Sequence, residues 1–352
     1  MNQRKFLILG GAAAALLAAG IFFSAHRASQ QSDIGGRPVF AELKDSLGEV
    51  SEIRLSKGDG SLTTLRRSES GWIVVERNFA ADPARVRDLA LALANLRVVE
   101  AKTSDEANYA RLGVESPTSP TATSTLVEVK AGEKSWSLIV GKGAENRAVY
   151  VRKPDTRESL LAEPLLTADP DQKRWVDRLL MDVHGTVIRD VSVTTGKTPA
   201  YQVTRAKQGD DLVLSPVPKG RTAVSNMLLN GQVEALAALN FDDVRTLPSP
   251  APAYPDTATY RTFDGQVIAL AGRREGDKAF ITVKAQRDAS LAAPPPAIAA
   301  EAPSSPAAAE TANPKDNTAE RLASRAQGVE FEVPGYRYEG IFKPLDALLE
   351  KK

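Results

Sequence analysis

The chain contains no cysteine, which excludes disulfides, cysteine-held zinc, thiol catalysis and a lipid anchor on sulfur. Histidine is almost absent: His26 and His184 are the only two, too few for a histidine-rich metal centre. Neither sign of charge is in excess. Forty-five basic and 44 acidic residues leave a net charge of +1, so no long-range field draws the protein to nucleic acid. Phosphate-binding glycine patterns are missing as well. In Gly141-Lys142-Gly143 a glycine follows the lysine, where a phosphate loop needs a hydroxyl for magnesium, so this stretch reads as a turn. His184 lies near Asp182, but no G-x-S-x-G elbow supplies a serine nucleophile, and the histidine reads as a linker residue.

Long apolar runs are absent with one exception. Met1–Phe23 reads MNQRKFLILGGAAAALLAAGIFF, in which Arg4 and Lys5 precede an apolar run of 18 residues, Phe6–Phe23. A hydrocarbon core about 30 Å thick needs about 20 helical residues and tolerates about 17, so the run spans. The competing reading is a cleaved signal peptide, which needs small residues at −3 and −1. The available frames put Phe23 or His26 at −3, which favours an uncleaved anchor. The expected layout is a cytoplasmic tail at 1–5, a transmembrane anchor at 6–23 and a polar tether at 24–40. The body then lies outside the cytoplasmic membrane, in the periplasm of a cell with two membranes.

Over the whole chain, 42% hydrophobic and 25% charged residues fit a folded body, which is expected from residue 41 onward. Val50–Leu55 alternates apolar and polar residues, Lys57–Gly60 is a turn, Leu62–Arg66 a second strand and Trp72–Val75 a third. Asp82-Pro83 is a helix-start pair, followed by Val86, Leu89, Ala90, Leu93 and Leu96 at helical spacing. Leu126–Val129, Trp136–Val140 and Ala148–Arg152 are three further strands. The order then recurs about 135 residues on. Val187–Val193, Tyr201–Arg205 and Asp211–Leu214 precede a helix over Thr222–Leu239, and Thr259–Thr262, Val267–Leu270 and Phe280–Val283 follow. The expectation is an α+β fold: a tandemly duplicated antiparallel meander plus helix, with one copy at 41–183 and the other at 184–350. A bridging helix over Asp169–Met181 lies between the copies, and Tyr336–Leu349 ends the second in an apolar helical stretch, Ile341–Leu349. An Ala/Pro-rich insertion near 286–325 cannot bury enough surface to offset its ordering entropy and is expected to be disordered.

Several of these segments, taken in order, resemble a known family. They are the Trp72 strand before a Pro-initiated helix, Tyr109-Ala110-Arg111-Leu112-Gly113-Val114 ahead of a proline, the Gly141 turn before Tyr150-Val151-Arg152, and Trp175-Val176-Asp177-Arg178. Together with the anchor, over roughly residues 50–350, they are similar to the bacterial proteins catalogued as domain of unknown function 4340. The resemblance implies an N-terminally anchored envelope protein associated with an ABC-type transporter and a gliding-motility-type auxiliary protein. It transfers no catalytic residue, and the Ala/Pro-rich insertion departs from the family pattern.

The residues themselves point to no catalytic set, cofactor or metal. Asp169/Asp171, Asp210/Asp211 and Asp242/Asp243 are carboxylate pairs of a kind that serves glycoside cleavage or holds a cation, yet each sits at an expected cap or turn. Trp72, Trp136, Tyr150 and Trp175 are the aromatics of interest. Trp136 and Tyr150, on adjacent strands, are the candidate ligand or partner surface, with core packing as the plainer reading. The functional expectation is a non-enzymatic, membrane-anchored periplasmic accessory protein docking on an ABC-type transporter or envelope complex. The alternatives are a glycan- or peptide-binding module and a carboxylate-dependent hydrolase.

Overall fold

The structure is a computed structural model that describes residues 35–196, 198–290 and 318–350. The expected tail and anchor, most of the tether and the centre of the Ala/Pro-rich insertion lie outside the described residues. Among the described residues no helix is long and apolar enough to cross a membrane.

Two compact units divide the chain. The first comprises residues up to Glu76 and Ala80–Val176; the second comprises Arg77–Phe79 and Asp177 onward. The first sequence half forms β1 (Val50–Ser56), β2 (Leu62–Ser68), β3 (Gly71–Val74), β4 (Phe79–Ala80), α1 (Pro83–Ala94), β5 (Arg97–Thr103), α2 (Tyr109–Leu112), β6 (Thr125–Ala131), β7 (Lys134–Ala144), β8 (Ala148–Arg152) and β9 (Ser159–Glu163). Its sheet runs β4-β3-β2-β1-β6-β7-β8-β9-β5. The second half forms β10 (Leu179–Met181), β11 (Ile188–Thr195), β12 (Thr198–Thr204), β13 (Val213–Ser215), α3 (Asn226–Val233), β14 (Leu239–Asn240), β15 (Asp243–Thr246), β16 (Asp256–Thr262), β17 (Gln266–Glu275), β18 (Lys278–Arg287), α4 (Ala319–Ala326), β19 (Val329–Val333) and α5 (Gly335–Ile341). Its main sheet runs β13-β12-β11-β16-β17-β18-β19-β15, the strand order of the first sheet without β4.

The architecture corrects the α+β expectation. Among the described residues nineteen strands, paired antiparallel, stand against five α-helices, and the longest of these, α1, has 12 residues. The fold is mainly β, and no transmembrane helix is among its described elements. Helical spacing over-reads helix where tertiary partners offer the backbone another hydrogen bond. Ala223 bridges Leu349 and Val224 N–H donates to Leu348 O, so 222–224 is extended and the helix begins only at Asn226. Over 169–181, Asp171 caps a single helical turn, Gln172–Arg174, and Leu179–Met181 pairs with β14. Pro344 cannot continue a helix, so α5 stops at Ile341 and a separate turn, Leu345–Leu348, follows.

Local chemistry explains the elements that form where expected. Asp82 accepts from the Ala84 and Arg85 N–H groups, and Pro83 follows at the first helical position. In β1 the buried residues are Val50, Ile53 and Leu55, a three-then-two spacing that a bulge between Val50 and Glu52 produces. β11 repeats it: Ile188, Val191 and Val193 are buried around a bulge between Ile188 and Asp190. One core gathers Ile53, Leu65, Val127, Val129, Leu138, Val140 and Val151 with Val86, Leu89 and Leu93 of α1. The other gathers Val191, Val203, Tyr260, Ile268, Leu270, Ile281 and Phe331 with Leu229 and Val233 of α3 and Ile341 of α5. Phe79, within the second unit, meets Phe241 and Phe331 edge-on at 5.5 and 5.7 Å between ring centres.

Candidate functional site

The link between β5 and β6 builds a polar site in the first unit. Asp105 accepts from the Ala107 N–H and starts a turn that runs into α2. Gly113 ends α2 in the left-handed conformation, with φ of 70°. The Lys142 ammonium donates to the Ala110 and Arg111 carbonyls at 3.1 and 3.3 Å, placing a cation where the helix end is negative. This contact needs Gly141, because a Cβ there would sit 2.4 Å from the Leu112 carbonyl oxygen. Gly141-Lys142-Gly143 is therefore a register-shifted part of β7 that seats α2, and the turn reading is corrected to a bulge.

On that seat Tyr109, Val114 and Ile139 form a buried cluster with Leu112, Leu126 and Tyr150 against it. Arg152, the last residue of β8, is 7% exposed and stacks its guanidinium 4.6 Å from the Tyr109 ring centre. Its Nε donates to Val114 O and its Nη1 to Thr156 O, both at 3.0 Å. Beside it opens a cleft of about 520 Å³ lined by Glu106, Tyr109, Glu115, Leu126, Ile139 and Arg152, among others. Glu115 Oε1 accepts from the Thr123 N–H at 2.7 Å and its hydroxyl at 3.1 Å, whereas the buried Oε2 has no donor among the described residues.

The structure does not bring Trp136 and Tyr150 together. Val140 pairs with Val151 and Ile139 with Arg152, so alternation puts Trp136 on the face of Leu138 and Val140 and Tyr150 on the face of Ile139 and Arg152. Both rings are half-buried; Tyr150 packs on the Tyr109 cluster with Lys102 Nζ 5.9 Å from its centre. Trp72 is half-buried on β3, and Trp175 is buried with its indole N–H on Asp169 O at 2.7 Å.

The carboxylate pairs are engaged in backbone and ion-pair work. Asp169 accepts from the Asp171 N–H and from Arg174, and Asp171 from the Lys173 N–H. Asp210 accepts from the Lys207 N–H and Asp211 from Asn226. Asp242 pairs with Arg178 at 2.8 Å and Asp243 with Arg77 at 3.3 Å. The His184 side chain is 67% exposed, with Nε2 3.8 Å from Asp182. Among the described residues no three His, Cys, Asp or Glu side chains gather where they could hold a metal ion.

Two features of the second unit escape sequence reasoning. Glu330, wholly buried on β19, accepts from Arg273 at 3.0 Å, Arg245 at 2.7 Å and the Tyr254 hydroxyl at 2.5 Å. Both guanidiniums lie over the Phe280 ring, at 3.9 Å for Arg245 and 4.9 Å for Arg273. Burial pushes the Glu330 carboxyl up, but these donors outweigh it and hold the group below its ordinary 4.5. Burial, with Glu330 as acceptor, pushes the Tyr254 hydroxyl up to about 12. In sequence, Val329-Glu330-Phe331-Glu332-Val333 shows only a strand with a solvent-type face; no signal marks Glu330 as buried. The second feature is a concentration of exposed apolar side chains: Val213 at 60%, Val217 at 39%, Met227 at 78% and Leu228 at 54%. These residues flank a junction where Asn226 accepts from the Leu212 N–H.

No curated protein and no solved structure matches this chain. One family model does, over residues 72–259, a span that takes in α2, the Gly141 bulge, Arg152 and the exposed segment 213–228. That match covers more than half of the 352 residues, and the chain belongs to the family described as domain of unknown function (DUF4340).

Proposed function

We propose that this protein is a non-enzymatic accessory protein of the bacterial envelope, held on the cytoplasmic membrane by residues 6–23 with its body outside, and that it docks on a complex of the ABC-transporter type. The observation that carries docking is the exposed apolar segment: Val213, Val217, Met227 and Leu228 present large hydrophobic side chains to water within 16 residues. Apolar surface concentrated in this way marks interaction sites on soluble bodies. The engaged carboxylate pairs support a non-enzymatic reading, because their lone pairs already serve caps and ion pairs. The membrane location is supported by the apolar run Phe6–Phe23 behind Arg4 and Lys5. The transporter partner is supported by the family resemblance alone.

The test is purification of tagged full-length protein from its own membranes in mild detergent, followed by mass spectrometry. Transporter permease and ATPase subunits are expected to co-purify. They are expected to be lost from the Met227→Glu, Leu228→Glu double variant and retained when an unrelated membrane anchor replaces residues 1–23. Reproducible recovery of the protein alone overturns the proposal, as does undiminished co-purification with the double variant.

A further inference from the structure

We infer that the cleft beside Arg152 is a binding site for a small apolar monocarboxylate, with the carboxylate on the guanidinium and the apolar body on Leu126 and Ile139. The first reason is the state of Arg152. It is 7% exposed, and no carboxylate lies within ion-pair distance among the described residues. Its Nε and Nη1 donate to backbone carbonyls, while Nη2 donates to nothing among the described residues. A buried guanidinium lacking an opposing charge is costly, and its planar fork is shaped for a carboxylate. The other buried arginines differ. Arg273 has Glu330 and Glu275, and Arg205 has two carbonyls with the Glu234 and Asp210 charges acting on it.

The second reason is the shape and lining of the space. The cleft's 520 Å³ falls within the roughly 300–1,000 Å³ typical of small-molecule sites. Tyr109, Leu126, Ile139, Pro117 and Pro154 make its wall largely apolar, which suits a compact hydrocarbon body. Charge narrows the class. Glu106, which is paired with Arg157 at 3.4 Å, and Glu115 line the same space, so each added negative charge is less welcome and a dianion such as phosphate is disfavoured more than a single carboxylate. The site is rigid on the Arg152 side, because Val114, Thr156 and the Tyr109 ring fix the guanidinium plane before a ligand arrives. It is also separate in chemistry and in sequence from the docking segment 213–228, so neither proposal rests on the other.

Isothermal titration of the full chain in detergent micelles tests this, with N-acetyl-L-leucine, N-acetyl-L-leucinamide and inorganic phosphate as probes. The acid is expected to bind and the amide to bind at least about tenfold more weakly, with no heat from phosphate. Arg152→Gln is expected to abolish binding of the acid. Because that change also removes two carbonyl contacts, Thr118→Trp at the exposed rim is the deciding variant: affinity for the acid falls at least about tenfold with an unchanged melting temperature. Met227→Glu, Leu228→Glu protein is expected to bind the acid as the parent does, which separates this site from docking. Acetyl-Ala-Leu tells a peptide C-terminus from a free acid: tighter binding than acetyl-leucine assigns the former, weaker binding the latter, and either supports the class. Equal binding of acid and amide, tighter binding of phosphate, no heat with the acid up to about 10 mM, or full binding by Thr118→Trp overturns the inference.

Discussion

The two units are each built on a sheet of the same strand order and differ in what covers it. β1 and β11 carry the same bulge, and each bulge presents an acid: Glu52 in one, Asp190 in the other. Each acid pairs with a cation on the neighbouring strand at the same register position, Lys130 at 3.1 Å and Arg261 at 2.8 Å. The links diverge. In the first unit the long link is β5 to β6, which folds as α2 and roofs the Arg152 cleft. In the second that link is short, and the long one is β18 to β19, where α4 packs against β17 and β18. A sheet is held by backbone ladders indifferent to side-chain identity, so its order survives sequence divergence. Links carry few ladder bonds and are free to acquire separate roles.

Polar burial also differs, and this gives the largest expected effect. Glu330→Ala leaves Arg273 buried without its main partner and is expected to cost about 3–5 kcal/mol. All three tryptophans lie in the first unit, so fluorescence reports that unit while circular dichroism reports both. Destabilisation seen by circular dichroism with an unmoved fluorescence transition sharpens the contrast; equal shifts in both signals break it. The sign of the pH dependence follows from the depressed Glu330 carboxyl. Its contribution is complete above the ordinary 4.5 and is lost as pH falls through the lower folded value, so acid titration is expected to reduce the difference between parent and variant.

Gly141→Ala tests the bulge that seats α2. The added methyl meets the Leu112 carbonyl, and a loss of about 1–3 kcal/mol is expected in the fluorescence-detected transition. A neutral result would mean that α2 does not depend on this seat. The smallest effects come from the equivalent bulge acids. Asp190 is 8% exposed and gathers Arg189, Arg261 and Gln202, so Asp190→Ala is expected to cost about 1–3 kcal/mol. Glu52 is 17% exposed with partners more than half exposed, and Glu52→Ala is expected to cost about 1 kcal/mol or less. Equal costs from chemical denaturation would show that the two bulges are energetically as well as geometrically alike.

By itself the amino-acid sequence determined the local elements: the alternating runs of β1, β2 and β6–β8, their counterparts in the second half, and the Asp82-Pro83 start of α1. Period-2 patterning and caps act between near neighbours and can be read without a fold. It also determined the absence of cysteine chemistry. Only the tertiary structure decided that 222–224 and 179–181 are extended rather than helical, because their hydrogen-bond partners lie far away in the chain. It separated Trp136 from Tyr150, since adjacency of strands does not specify register and a bulge resets which residues share a face. It also brought Arg152 to Tyr109 and Glu330 to Arg245 and Arg273. Burial of a charge depends on what packs around it, and an arginine at the end of a strand looks the same in sequence whether it meets water or a cleft.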